Sequence, residues 1–153
     1  MIVIEKAQEE DLKEILGLQY IAYQSEAMLF NSTDIPPLRQ TIEEVYDEFR
    51  KGMILKASDG NGVIIGSVRA YQENGTVYIG KLMVHPSMQK KGIGTRLLSE
   101  MEKQLPAKRY ELFTSTKSVG NIRLYESLGY EIFKAETVTE ELHFVYMQKN
   151  SGR

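Results

Sequence analysis

The segment of this chain with the most chemical potential is Val84-His85-Pro86-Ser87-Met88-Gln89-Lys90-Lys91-Gly92-Ile93-Gly94-Thr95-Arg96. An apolar stretch runs into a glycine-punctuated turn, and a helical pattern follows. N–H groups at the start of a helix lack intrahelical partners, so several can converge on one anion, and the helix dipole adds favourable potential. Gly92 and Gly94 carry no side chains that would hold a phosphate away from the backbone. Lys90, Lys91 and Arg96 add positive charge. The segment is not a P-loop, because no Lys-Ser/Thr pair follows the second glycine. It is not a dinucleotide fingerprint either, since the glycine spacing differs and the preceding strand closes a run of hairpins. From these residues alone two readings stand: an anion cradle, or simply a tight strand-to-helix turn.

The other candidates are sparser. There is no cysteine, which excludes disulfides, thiolate zinc sites and thiol nucleophiles. Of the two histidines, His85 stands before a proline at a strand end, the place of a loop residue, and His143 falls on the last strands. Tyr20, Tyr23, Glu26, Asp34, Glu43 and Glu44 gather in the first third of the chain. On a helix Tyr23 and Glu26 share one side, which makes Glu26 the first choice for an inward carboxylate, with a solvated helix face as the alternative.

The elements that must position these residues follow from periodicity and breakers. Ile2–Ile4 suits a first strand, and Gln8 to about Phe30 reads as a helix with Leu12, Ile15, Leu16, Gln19, Tyr20 and Tyr23 at three- and four-residue steps. Asn31 to Pro37 has loop chemistry. Thr41 and Glu44 stand at capping-box spacing before a short helix. Three strands follow, Met53–Ala57, Val63–Gln72 and Thr76–Val84, joined by Asp59-Gly60-Asn61-Gly62 and Asn74-Gly75 turns. The third is apolar at both alternating sets, the mark of a central strand covered on both faces. A helix from Ile93 to Pro106, a strand Tyr110–Thr114, a helix Ser118–Leu128 stopped by Gly129, and strands Tyr130–Lys134 and Leu142–Gln148 complete the order β-α-α-β-β-β-α-β-α-β-β.

Composition sets the outer bounds. The 153 residues predict one domain, residues 1–149, with 150–153 fraying. Hydrophobic residues at 42% and charged residues at 26% are those of an ordinary globular chain. Nineteen Lys and Arg against 21 Asp and Glu give a net charge of −2, which disfavours a nucleic-acid partner. No run of about 18 apolar residues appears, and the first twenty residues lack a signal pattern, so the expectation is a cytoplasmic protein without a membrane partner.

Two motifs together resemble the GCN5-related N-acetyltransferase (GNAT) superfamily. Gln89, Gly92 and Gly94 match its Gln/Arg-x-x-Gly-x-Gly/Ala loop, and Leu124-Tyr125-Glu126-Ser127-Leu128-Gly129-Tyr130 matches its later Leu-Tyr…Gly-aromatic motif. The element order is similar over nearly the whole chain. The resemblance implies a mixed, mostly antiparallel seven-stranded sheet flanked by about four helices and splayed between its fourth and fifth strands. It implies acetyl-CoA as the acyl donor, held by Met83, Val84, Gln89, Lys90, Lys91, Gly92, Ile93, Gly94 and Thr95, with Ser118, Asn121 and Tyr125 beyond. It further implies Tyr125 as general acid and a bulge in the central strand, near Gly80, that aims the Leu82 N–H at the thioester oxygen. The acceptor is expected to be a primary amine of a small molecule or peptide, attacking directly and lying near Tyr20, Tyr23, Glu26 and Asp34.

The sequence departs from that pattern twice. Ser118 stands where many relatives have Asn; Asn121, one turn on, can supply the amide or simply be solvated. Tyr78 stands where several relatives have a strand Glu, so a carboxylate base on that strand is absent, and Glu26 is the candidate base or amine contact. The alternative function is a non-catalytic acyl-CoA-binding regulatory module. By resemblance alone, a homodimer through the last strands is also expected.

Overall fold

β-branched and aromatic runs pair into strands β1 (Val3–Lys6), β2 (Met53–Ser58), β3 (Ile64–Glu73), β4 (Thr76–Val84), β5 (Arg109–Ser115), β6 (Glu131–Thr137) and β7 (His143–Asn150). The computed structural model describes residues 1–28, 35–140 and 142–151. The strands form one sheet in the order β1-β2-β3-β4-β5-β7-β6. Every neighbouring pair is antiparallel except β4 and β5, which are parallel. The hairpin turns form as their residues dictate. Asn74 and Gly75 both take positive φ, 52° and 83°, as a two-residue type I′ turn requires. Asp59 accepts from the N–H groups of Asn61 and Val63 at 2.9 and 3.0 Å.

Helices α1 (Leu12–Met28), α2 (Pro36–Arg39), α3 (Ile42–Lys51), α4 (Ile93–Gln104) and α5 (Val119–Ser127) cover the sheet. One core joins α4 and α5 to the sheet through Leu97, Leu98, Met101 and Tyr125 packed on Val68, Val77, Leu112 and Met147. The other joins α1 and α3 to the opposite face through Leu12, Ile15, Val45, Ile54 and Ile64. The capping box of α3 forms: the Thr41 N–H donates to Glu44 Oε1 at 2.8 Å, and the Glu44 N–H donates to Thr41 Oγ1 at 3.3 Å.

Several expectations need correction. Pro36 and Pro37 open α2 instead of extending the loop, because proline's missing N–H costs nothing at the first helical positions. The described residues therefore hold five α-helices, not four. A 3-10 turn at Glu9–Asp11, tied by the Gln8 N–H to Asp11 Oδ2 at 2.7 Å, precedes α1. Asn150 and Ser151 do not fray: Asn150 ends β7, and the Ser151 N–H donates to the Lys108 carbonyl at 2.9 Å.

Two features of β4 position the site. Its parallel pairing with β5 spans only Thr76–Tyr78 against Arg109–Glu111, after which the strands diverge into a wedge. Against β3 the register passes from Arg69↔Gly80 to Ser67↔Met83, so β4 carries one extra residue. Lys81 sits there with φ 53°, a left-handed conformation, and Lys81 and Leu82 have no paired residue. The bulge falls on Lys81, not on Gly80, whose φ is not positive. It also inverts the alternation. Val77 and Ile79 pack into the α4 core, whereas Met83 packs into the α1 core. Tyr78, Leu82 and Val84 are only half-buried: Leu82 and Val84 edge the α4 core, and Tyr78 stacks on Tyr71 with ring centroids 5.1 Å apart.

Candidate active site

The wedge opens into two adjoining cavities. The first, about 530 Å³, lies between the diverging strands, α1, α2 and α3. The second, about 650 Å³, runs from the end of β4 along the start of α4 to the start of α5. Tyr23, Glu26, Leu82 and Asn121 line both, so they mark the junction.

The second cavity is walled largely by backbone. His85 stabilises the 3-10 turn Pro86–Met88 by accepting from the Ser87 N–H at 3.1 Å. Lys90 and Gly92 then take φ of 63° and 79°, and Gly92 is the N-cap of α4 with no side chain capping it. The first intrahelical bond runs from the Arg96 N–H to the Gly92 carbonyl at 3.1 Å. The N–H groups of Ile93, Gly94 and Thr95 are therefore left over by the helix, and all three residues line the cavity. A Cβ on Gly94 would come within 3.3 Å of Leu124, so this glycine also lets α4 approach α5. Met83, Val84, Gln89 and Lys90 line the same cavity. Lys91 is exposed and not on its wall, and Arg96 turns away to donate to the Ile2 carbonyl at 3.2 Å.

At the junction the chemistry is carried by side chains. Glu26 Oε1 accepts from Ser118 Oγ at 3.0 Å. Burial raises the Glu26 carboxyl above the ordinary carboxylate range, and the Ser118 hydroxyl opposes that by favouring the ionised form. Ser118 thus orients the carboxylate from the N-cap of α5, which accounts for a hydroxyl at a position where an amide was anticipated. Tyr125 is buried on the first cavity's wall, with its ring 6.2 Å from that of Tyr130. Among the described residues no side chain bonds its hydroxyl. Burial, and then the Glu26 charge, push the phenol well above its usual range, so it stays protonated. Tyr23 is shifted the same way by burial and by Glu26.

The motif around Tyr125 is held by its own ends. Gly129 takes φ 99°, which lets the Tyr130 N–H return to the Tyr125 carbonyl at 3.0 Å. The Tyr130 hydroxyl donates to Glu102 Oε2 at 2.9 Å, and Lys149 bonds Glu102 Oε1 at 2.8 Å, pinning α5 to α4 and β7.

Not every sequence candidate reaches the cavities. Tyr20 lines neither; its hydroxyl donates to the Gln40 carbonyl at 2.6 Å and fixes the entry to α3. Asp34 lies outside the described residues. His143 contacts Thr137 and the Glu140 carbonyl at 3.0 and 3.1 Å, away from the wedge. Conversely, sequence reasoning missed Lys81, Phe113 and Phe144, which line the first cavity. Lys81 left a signal, as a single charge inside an otherwise apolar strand. Phe113 and Phe144 left none, because their strands meet only in three dimensions.

The profile of the acetyltransferase (GNAT) family matches residues 6–130. The chain belongs to that family. As a GNAT chain it is similar in fold to the ribosomal-protein-S18-alanine N-acetyltransferase of Escherichia coli, with a TM-score of 0.81, 16% identity, and 98% and 94% of the two chains covered. PH1933 of Pyrococcus horikoshii OT3 gives a TM-score of 0.80 at 20% identity, covering 99% of each chain. The yncA structure from Salmonella typhimurium, solved with acetyl-CoA, gives 0.75 at 19% identity, with 98% and 94% covered. Among curated sequences, UPF0157 protein YqkA of Bacillus subtilis is 28% identical over 127 residues. The match takes in 82% of this GNAT chain and spans only 36% of that relative's length.

Proposed function

We propose that this protein transfers an acetyl group from acetyl-CoA to a primary amine of a small molecule or peptide. The observation that carries the reading is the junction. An uncapped helix start, a strand bulge, a buried phenol and a buried carboxylate meet where two cavities join. The residues fit the donor, since Gly92 and Gly94 leave backbone bare at the uncapped start of α4 along a cavity of about 650 Å³. The backbone N–H groups of Ile93, Gly94 and Thr95 would hold its pyrophosphate, with Gln89, Lys90 and Asn121 alongside. When bound, acetyl-CoA supplies an acyl carbon activated as a thioester.

Each remaining role belongs to a group of this chain. The Leu82 N–H, freed from the ladder by the bulge, donates to oxygen as negative charge develops on it. Glu26 Oε takes a proton from the acceptor's ammonium, directly or through water, and the neutral amine so formed attacks. Its raised pKa makes it a better proton acceptor than an exposed carboxylate. Tyr125 Oη delivers a proton to the departing sulfur. A phenol raised above its usual range is a weaker acid than the free residue, so this donation draws on a hydrogen bond that strengthens as charge reaches the sulfur. Tyr23 closes the junction against water.

The test is release of free thiol from acetyl-CoA across a panel of amino acids, polyamines, aminoglycosides and peptide N-termini, with the product identified by mass. Amine-dependent thiol release together with an acceptor heavier by one acetyl group supports it. Tight acetyl-CoA binding without transfer to any amine would favour a binding module instead.

A further inference from the structure

We infer that Lys81 recognises an acidic group on the acceptor, so that the acceptor is a small amino-acid-like molecule carrying an amine and a carboxylate. This deepens the acetyl-transfer reading and rests on it for the identity of the site.

The bulge places the lysine. A left-handed backbone is unfavourable for a long side chain, and this one is imposed where the sheet register slips. The turn directs Lys81 towards α3, on the wall of the first cavity. Its nearest carboxylate oxygen, Glu48 Oε2, is 3.7 Å away, beyond hydrogen-bonding range. The other oxygen of Glu48 is already engaged, accepting from Arg69 Nη1 at 2.8 Å and Gln40 Nε2 at 2.7 Å. Glu44, also on the cavity wall, spends Oε1 on the N–H and hydroxyl of Thr41 at 2.8 and 3.2 Å. Two cations, Arg69 and Lys81, thus both draw on Glu48, and Glu44 adds a second, more distant negative charge. The Lys81 side chain is 25% exposed, and its ion pair with Glu48 is a long one. Burial disfavours its charged form, Glu48 opposes that, Arg69 adds to it, and Glu44 opposes it. An anion arriving in the cavity would give the Lys81 ammonium a close partner.

The rest of the cavity specifies the partner further. Lys81 and Glu26 both line the first cavity, so a carboxylate for the amine and an ammonium for an acid face the same space. Part of the wall is apolar, with Ile35, Leu112, Phe113, Leu142 and Phe144 standing beside the charged Arg39 and Glu44. That pattern fits an amino acid with an apolar side group better than a polyamine.

The experiment is calorimetric and independent of turnover. N-acetylated amino acids with apolar and polar side chains are titrated alongside their carboxamides, in the presence of CoA. Wild type should bind the acid at least about tenfold tighter than its amide, the worth of a charge-assisted hydrogen bond. Lys81→Asn tolerates left-handed backbone and removes the charge, and should bring that ratio below about threefold. Lys81→Arg should retain the preference. An acid-to-amide ratio near one in wild type for every pair overturns the proposal without any variant, as does a ratio unchanged in Lys81→Asn. Equal acetylation of amino acids and their amides would remove the role of Lys81 while leaving acetyl transfer standing. Acid-selective binding without transfer to any amine would do the reverse.

Discussion

The two cavities are built by different means. The one along α4 presents main-chain N–H groups of a turn whose glycines are demanded by conformation and closeness. The one behind the β4 bulge presents side chains gathered from α1, α3, β5 and β7. A wall made of backbone accepts the same anion whatever its neighbouring side chains are. A wall made of side chains can be rewritten at single positions. The difference separates a wall set by main-chain conformation from one set by the choice of side chains.

The largest expected effect lies where the two walls meet. Tyr125→Phe keeps the ring in its core and removes only the hydroxyl, so acetyl-CoA affinity should persist while kcat falls about 10²- to 10⁴-fold. Single-turnover measurements check this, and a Phe variant with full chemical rate would leave Tyr125 as packing alone.

Behind the side-chain wall, Glu48→Leu removes the charged partner of buried Arg69, whose guanidinium would keep Gln19 and Gln40 at 2.6 and 2.9 Å. The expected loss is about 1–3 kcal/mol of unfolding free energy, read from denaturant titration. An unchanged midpoint would mean that the amides suffice.

On the backbone wall, Gly92→Val forces a β-branched residue to φ 79° and should weaken acetyl-CoA at least about tenfold. Lys90→Ala, which removes an exposed charge, should cost less than about fivefold. If the lysine mattered more than the glycine in parallel calorimetric titrations, the wall would be electrostatic and the contrast drawn above would fail.

The smallest effect is a shift in pH dependence. Glu26 accepts a proton only when ionised, and burial holds its pKa above the ordinary carboxylate range, so the rate should rise with pH through that ionisation. The Ser118 hydroxyl favours the ionised form. Ser118→Ala should therefore move the acid limb to higher pH. Glu26→Gln should abolish that limb. A Ser118→Ala profile that coincides with wild type would show that the hydroxyl does not set the protonation of Glu26.

The same contrast governs what could be read from the chain. The fold and the α4 turn were legible because each depends on local rules: Asn74-Gly75 makes a hairpin, Thr41 and Glu44 cap a helix, and Gly129 ends one. The bulge was legible only through family resemblance, with Gly80 compatible with it or with close approach of another backbone; the left-handed lysine beside it is set by the β3 register. Glu26 was found by helix periodicity, but its tie to Ser118, 92 positions away, has no local trace. The Pro36-Pro37 pair misled because proline both breaks helices and begins them.

The three-residue seam between β4 and β5 has a consequence for how the chain comes together. Everything before the seam, residues 3–104, and everything after it, residues 109–150, is contiguous in sequence and forms its own set of antiparallel ladders. Within the halves the β2-β3-β4 and β6-β7 hairpins zip from local contacts with little loop-closure entropy. The main-chain join between the halves is only three residues long on each strand. Amides of Thr76–Tyr78 and Arg109–Glu111 should therefore exchange hydrogen sooner than those of β3 and β7, and any ligand spanning the gap would act as a stitch that slows them.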